Sequence, residues 1–295
     1  MKRGFAPSYL TQVFLCFAVI AKADEPVKPE AASPPSAVQE IMGRTKREYR
    51  KARFYKPAEG NPSKIEYKLA PLIVGESNER SSTAIATLHK SEAARIPRQS
   101  AATVYFSTGS VTTGGGKLDE VFYLWWHYPV LDCLRCGYLL PVFIPRGVRI
   151  VLGSDDMPIL WEALEGPSKP RVFYVSQQLE QAAKQQFGDP HPKRNFSIEK
   201  SPEDNPDVLV TRVLEDGPVP MGPYVYIDAD CGRAISTIHC RCSPSQFDEV
   251  METLEYELQP IESIDAKWLR EHGETNIEKL LNSEPLDKLF RWPKM

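Results

Sequence analysis

Two tight cysteine pairs, Cys133-Leu134-Arg135-Cys136-Gly137 and His239-Cys240-Arg241-Cys242, stand more than a hundred residues apart and constrain this chain more than any other feature. Clustered pairs of this kind wrap a soft metal ion or join as disulfides, and either use requires the fold to bring two distant segments together. Gly137 directly after the first pair suits a metal knuckle. A residue without Cβ lets the backbone turn sharply and aim N–H groups at thiolate sulfur. The second pair lies at the end of an expected strand, where alternate residues point to one side about 6.5–7 Å apart. Cys240 and Cys242 therefore cannot bridge each other without distortion, and are expected to reach out towards Cys133 and Cys136.

Three chemistries fit that convergence. A structural zinc would take Cys133, Cys136, Cys240 and Cys242, with His239 as a possible replacement ligand, although the second pair is one residue tighter than the usual knuckle. Disulfides are the alternative in an oxidising compartment, with Cys231 the expected spare thiol. Redox exchange is the third, because Cys242 stands just ahead of an expected helix N-terminus, where the dipole favours thiolate. Against redox work, Cys-x-x-Cys is followed by the extended run Gly137-Tyr-Leu-Leu-Pro-Val-Phe143 and not by a helix.

The compartment follows from the N-terminus. Lys2 and Arg3 precede an apolar stretch from Val13 to Ile20, and Ala21-Lys22-Ala23 precedes Asp24, the layout of a cleaved secretory leader. A membrane span needs about 20 apolar residues, and Ser8, Thr11 and Gln12 interrupt a shorter run. Leu15 ahead of Cys16 argues against lipid attachment. The expectation is a leader over 1–23 and a secreted or periplasmic product with no transmembrane segment. Removal leaves about 270 residues (295 less 23), enough for one large domain or two small ones.

Behind the leader, Pro26, Pro29, Pro34 and Pro35 sit among Ala, Ser and Glu, a composition too poor in apolar surface to fold. Arg44, Lys46, Arg47, Arg50, Lys51, Arg53 and Lys56 follow, opposed only by Glu48. Residues 24–60 are thus expected to form a flexible linker. Its basic part, 44–56, is read as solvated, with weak contact to an anionic envelope surface as the functional alternative. The net charge of −3 gives no reason to expect nucleic acid.

The folded region is expected over 61–295 as a single domain, with a β-rich half over 61–165 and a mixed half over 166–295. Ile65 to Val74, Ala102 to Thr108, Glu120 to Tyr128, Tyr138 to Ile144 and Val148 to Leu152 are rich in β-branched and aromatic residues and bounded by turn formers. Thr112-Thr113-Gly114-Gly115-Gly116-Lys117 supplies the positive φ of a tight reversal, making Ala102–Thr108 and Glu120–Tyr128 hairpin partners. Tyr123, Trp125, Trp126 and Tyr128 place apolar groups on both faces of one strand, which calls for burial on both sides; His127 reads as a hydrogen-bonded core residue. Arg171 to Val175 leads through Ser176 into a helix over Gln177 to Phe187, ended by Gly188. Strands are expected at Val208 to Leu214, Tyr224 to Asp228 and Ala234 to Arg241.

Ser243, Pro244 and Gln246 form a helix start, and Phe247, Val250, Met251, Leu254 and Leu258 then repeat at three- and four-residue intervals, which predicts an amphipathic helix. Ala266 to His272 and Asn276 to Asn282 suggest two short helices. Together these segments predict an α+β fold: an antiparallel or mixed β-sheet with helices packed on one face and a flexible N-terminal extension.

No hydrolase elbow, phosphate loop, zinc-protease helix or dinucleotide fingerprint is present. Asp155-Asp156 and Asp228 with Asp230 are the carboxylate pairs, and each also suits a turn. Gly217-Pro218-Val219-Pro220-Met221-Gly222-Pro223 reads as a rigid loop. The functional expectation is an exterior binding or structural component with no demonstrable catalytic centre, stapled by a cysteine site with zinc as the one candidate cofactor. The alternative is an extracytoplasmic thiol–disulfide redox enzyme using Cys133 and Cys136, or Cys242. Mass spectrometry of protein recovered from the medium or envelope is expected to find Asp24 as the first residue; an intact Met1 chain in the membrane fraction would refute the leader.

Overall fold

The computed structural model describes residues 53–75, 83–86, 102–129, 144–164, 171–227, 235–239, 253–264, 281 and 284–294. Twelve strands among them form one mixed sheet: β1 Arg53–Pro57, β2 Leu72–Gly75, β3 Thr83–Ala86, β4 Ala102–Thr113, β5 Gly116–Pro129, β6 Ile144–Leu152, β7 Pro158–Leu164, β8 Arg171–Ser176, β9 Val208–Leu214, β10 Pro223–Ile227, β11 Ile235–His239 and β12 Thr253–Pro260. The helices are small: α1 Ile65–Lys68, α2 Gln177–Phe187 and α3 Leu286–Leu289, with a 3-10 turn at Ile261–Ser263. Spatial order runs β11-β10-β2-β1-β12-β4-β5-β6-β7-β8-β9, with β3 also paired to β5. Pairing is parallel at β1/β12, β12/β4, β10/β2 and β8/β9 and antiparallel elsewhere. The sheet curls into a half-barrel, bringing β11 back against β7.

This corrects the expected α+β fold with helices layered on one face. The clearest reason lies at Thr253–Pro260. Leu254 and Leu258 fit a helical stripe, yet Leu254, Tyr256 and Leu258 fit a strand equally well, with Glu255 and Glu257 on the other side. Parallel neighbours on both sides, β1 and β4, complete its backbone hydrogen bonds, and Tyr256 is fully buried. The expected helix therefore gives way to a central strand over these residues. The helices expected at Ala266–His272 and Asn276–Asn282 fall outside the described residues, apart from Leu281. The expected strand from Ile65 to Val74 is split, since Pro71 offers no N–H to a ladder, and residues before it form α1. At the end of the basic run expected to be linker, Arg53–Pro57 is a central strand with Phe54 and Tyr55 buried.

Other local readings match. The β4–β5 hairpin turns at Thr113↔Gly116, where Gly116 has φ 136°, and the Thr113 hydroxyl donates to Gly116 O (3.1 Å) while accepting from Gly115 N (3.2 Å). Ser176 caps α2 by accepting from Leu179 N at 3.1 Å, and Gly188 closes it at φ 77°. Both faces of β5 are buried from Val121 to Trp126.

Alternation sorts the core into layers. The inner face of the curl collects Tyr55, Val104, Tyr123, Trp125, Trp161 and Tyr256. Outside, one group joins Phe173, Val175, Leu179 and Phe290, with Phe173 and Phe290 edge to face at 4.9 Å. Another joins Tyr105, Phe122, Leu124, Trp126 and Ile264.

Between the two outer groups runs a ladder of charge. Glu120 of β5 accepts from Arg149 Nε at 2.8 Å; Arg149 Nη1 donates to Glu162 of β7 at 3.1 Å; Glu162 accepts from Arg171 Nε at 2.6 Å and Nη2 at 3.0 Å; Arg171 Nη1 reaches Glu284 at 2.9 Å. The Arg149, Glu120 and Glu162 side chains are 1%, 4% and 5% exposed, whereas Arg171 is 28% and Glu284 59%. The ladder is therefore sealed at one end and wet at the other. Arg149 also lies 5.6 Å over the Phe122 ring and Arg171 5.2 Å over Phe173. Burial alone would lower Arg171, but hydrogen bonding and the charge of Glu162, with Glu284, leave it raised above its ordinary value.

The β9 edge is closed by side chains. Glu199 accepts from Val210 N (3.1 Å) and also from Asn195 N and Phe196 N (both 3.1 Å); Arg194 donates to Val208 O (2.7 Å) and pairs with Glu199 at 3.4 Å. This side-chain pair stands where a further strand would otherwise dock. Replacing Glu199 by Ala leaves three backbone N–H groups without their acceptor and the buried Arg194 guanidinium without its counter-charge, so urea unfolding is expected to show a loss of about 3–5 kcal/mol. A loss below about 1 kcal/mol would show that water replaces the carboxylate.

Candidate binding cleft

The end of the half-barrel at the β4–β5 tip is where four connections meet, and a cleft of about 800 Å³ opens there. Ser63, Ile65, Glu66 and Lys68 come from the segment between β1 and β2, Thr108, Gly109, Ser110, Asp119, Glu120 and Val121 from the hairpin, and Leu152, Asp155 and Asp156 from the β6–β7 turn; Pro220 comes from the β9–β10 loop.

Each wall has a local cause. Within β5, Asp119, Val121, Tyr123 and Trp125 share one face by alternation, so Asp119 stands at the rim of the inner face. The β6–β7 turn is built by Asp155, whose Oδ1 accepts from Met157 N at 3.2 Å, and by Asp156 at φ 61°, closed by Gly153 N donating to Met157 O at 2.8 Å. Asp155 and Asp156 thus serve the turn, as Asp does, and also face the cleft. Of the Gly217–Pro223 stretch, residues 217–222 lie between β9 and β10 and Pro223 opens β10; Gly222 is pressed on Ala70 O, where a Cβ would collide. A smaller space of about 140 Å³ beside α2 is lined by Asp155, Gln178 and Asp216, and Asp216 already accepts from Gln178 N at 3.0 Å.

The segment carrying Glu66 dips into the curl. Leu69 and Ala70 are buried against the inner face, and two phenols hold the backbone there: Tyr123 Oη donates to Glu66 O at 2.7 Å and Tyr256 Oη to Pro71 O at 2.8 Å. Burial pushes the Tyr123 phenol well above its ordinary value, helped by Tyr256 and Glu66, and burial alone does the same to Tyr256.

The expected cysteine site is outside the described residues. Cys133, Cys136, Cys231, Cys240 and Cys242, together with Asp228 and Asp230, fall outside the described residues. His239 is the last residue of β11, paired with Pro223, and its side chain is not among those described, nor is that of His127 in β5. Tracing direction from strand to strand, β11 runs the same way as β4 and opposite to β5. Among the described residues no group of three or more His, Cys, Asp or Glu is placed to hold a metal, and no helix is long and apolar enough to cross a membrane.

Glu66, Lys68 and Asp119 are cleft residues that the sequence reading did not single out. Asp119 alone had a signal, its parity with Val121, Tyr123 and Trp125. Glu66 had none, because its place depends on the segment between β1 and β2 lying across the inner face, where Tyr123 holds it.

The two phenols predict a pH dependence. Their folded pKa values are raised, so the unfolded chain loses these protons first; stability is full below the unfolded value of about 10 and falls as pH rises beyond it. Denaturation midpoints are expected to hold from pH 7 to 9 and then drop, with a shallower drop in a Tyr123→Phe/Tyr256→Phe variant. Equal slopes in both proteins would contradict this. No family model, curated protein or solved structure matches this chain.

Proposed function

We propose that this protein is an extracytoplasmic binding component that receives a small, positively charged ligand in the cleft at the hairpin-tip end. The charge balance of the cleft supports the reading: Glu66, Asp119, Asp155 and Asp156 face one amine, Lys68, while Glu120 is already matched by Arg149. Lys64 sits 3.6 Å from Glu66, offsetting one carboxylate in part. Hydroxyls of Ser63, Thr108 and Ser110 add hydrogen-bonding groups for an ammonium. In this reading the expected leader sends the chain across the membrane, the basic residues ahead of β1 touch an anionic envelope surface, and the Cys133/Cys136 and Cys240/Cys242 pairs staple the body as zinc ligands or disulfides.

Calorimetric titration with 1,4-diaminobutane, butylamine and butanol tests it. Both amines are expected to bind and the neutral alcohol not to, and Asp119→Asn is expected to weaken amine binding by about two- to fivefold, the range of one exposed charge pair. Equal binding of butanol, or amine affinity indifferent to Asp119 and to salt, would overturn the assignment.

A further inference from the structure

The inner face of β5 reads downward from the cleft as Asp119 and Val121, which line it, then Tyr123, whose hydroxyl holds Glu66 O, then Trp125, fully buried. What separates the cleft from the aromatic wall below is the segment 59–70. That segment packs on the wall through Leu69 and Ala70, but its backbone hydrogen bonding is almost wholly internal. Its described backbone hydrogen bonds are local, Lys64 N to Asn61 O, Tyr67 N and Lys68 N to Lys64 O, Leu69 N to Ile65 O and Ala70 N to Tyr67 O. Its helix is four residues long with no side-chain cap. Among the described residues the hydrogen bond that ties it to the sheet is the one from Tyr123, with the bond from Tyr256 to Pro71 at its end. The Trp125 indole N–H, buried in the wall beneath it, has no acceptor among the described residues.

We propose that residues 59–70 form a lid, and that lifting it joins the cleft to the inner face as one chamber for a cationic amphiphile, with an amine head at the carboxylate rim and an aliphatic tail against Tyr55, Tyr123, Trp125, Trp161 and Tyr256. The tail replaces Leu69 and Ala70 on that wall, so apolar burial is exchanged and not lost. This rests on the cleft being a cation site and adds the tail to it.

The experiment compares dodecylamine with butylamine and laurate, all below their micelle concentrations, by calorimetry and by tryptophan emission, since Trp125 and Trp161 lie on the wall. Dodecylamine is expected to bind at least about tenfold tighter than butylamine, from burial of only a few of its extra methylenes, to bind more tightly than laurate, and alone to shift the emission. Tyr123→Phe, which keeps the ring and frees the segment, is expected to raise dodecylamine affinity several-fold, because less is spent on opening. If dodecylamine binds no tighter than butylamine, the lid is wrong while the cation cleft stands. If laurate binds as tightly as dodecylamine, the rim does not select charge and the proposal is overturned. If neither amine binds, the cleft reading falls as well.

Discussion

Arg149 sits under a sealed sheet face with a carboxylate on each side, and the rest of this structure depends on that arrangement. Guanidinium and both carboxylates are nearly inaccessible to water, so each is tolerable only while the others are in place. Glu120, Arg149, Glu162 and Arg171 come from four successive strands, β5 to β8. Because side chains alternate across a strand, a one-residue slip of any of the four would carry a charge from this outer row onto the apolar inner face. The row therefore acts as a register lock, and Gly147 adds to it by letting β6 approach β5 where a Cβ would strike Tyr123 O. Such a lock costs desolvation free energy and returns specificity; apolar residues of equal size would hold the strands together without saying which residue faces which.

With register fixed, the two faces divide the work. Outside, aromatic groups and α2 cover the sheet on either side of the charged row. Inside, β5 presents an ordered gradient, from carboxylate at the rim to indole in the interior, and the segment 59–70 lies across it. The cleft exists because four connections of unrelated sequence end at the same level of the curl. That coincidence is a property of the topology and not of any motif.

The legible parts of the fold are those coded locally. Ser176, by its hydroxyl, and Gly188 and the glycines after Thr113, by backbone conformation, specify caps and turns locally, and the structure places them as expected. Segments whose pattern admits two periods were not legible: Leu254 and Leu258 satisfy both a helix and a strand, and only the long-range parallel pairing of β12 with β1 and β4 decides between them. Arg53–Pro57 was obscured because it ends a basic run, although Phe54 and Tyr55 give it two apolar faces. The charged row was invisible for a different reason. Glu120, Arg149 and Glu162 look like ordinary polar positions until the sheet sets them side by side, and the same holds for Glu66 at the cleft.

A double-mutant cycle on Arg149 and Glu162, with Arg149→Met, Glu162→Leu and the pair combined, measures the register lock most directly. The account predicts a coupling energy of at least about 2 kcal/mol, because each single change takes one opposite charge from a buried group, leaving Glu162 with Arg171 and Arg149 with Glu120. Additive losses, within about 0.5 kcal/mol, would show that the row is a passenger on a sheet held by its apolar faces, and would contradict the account.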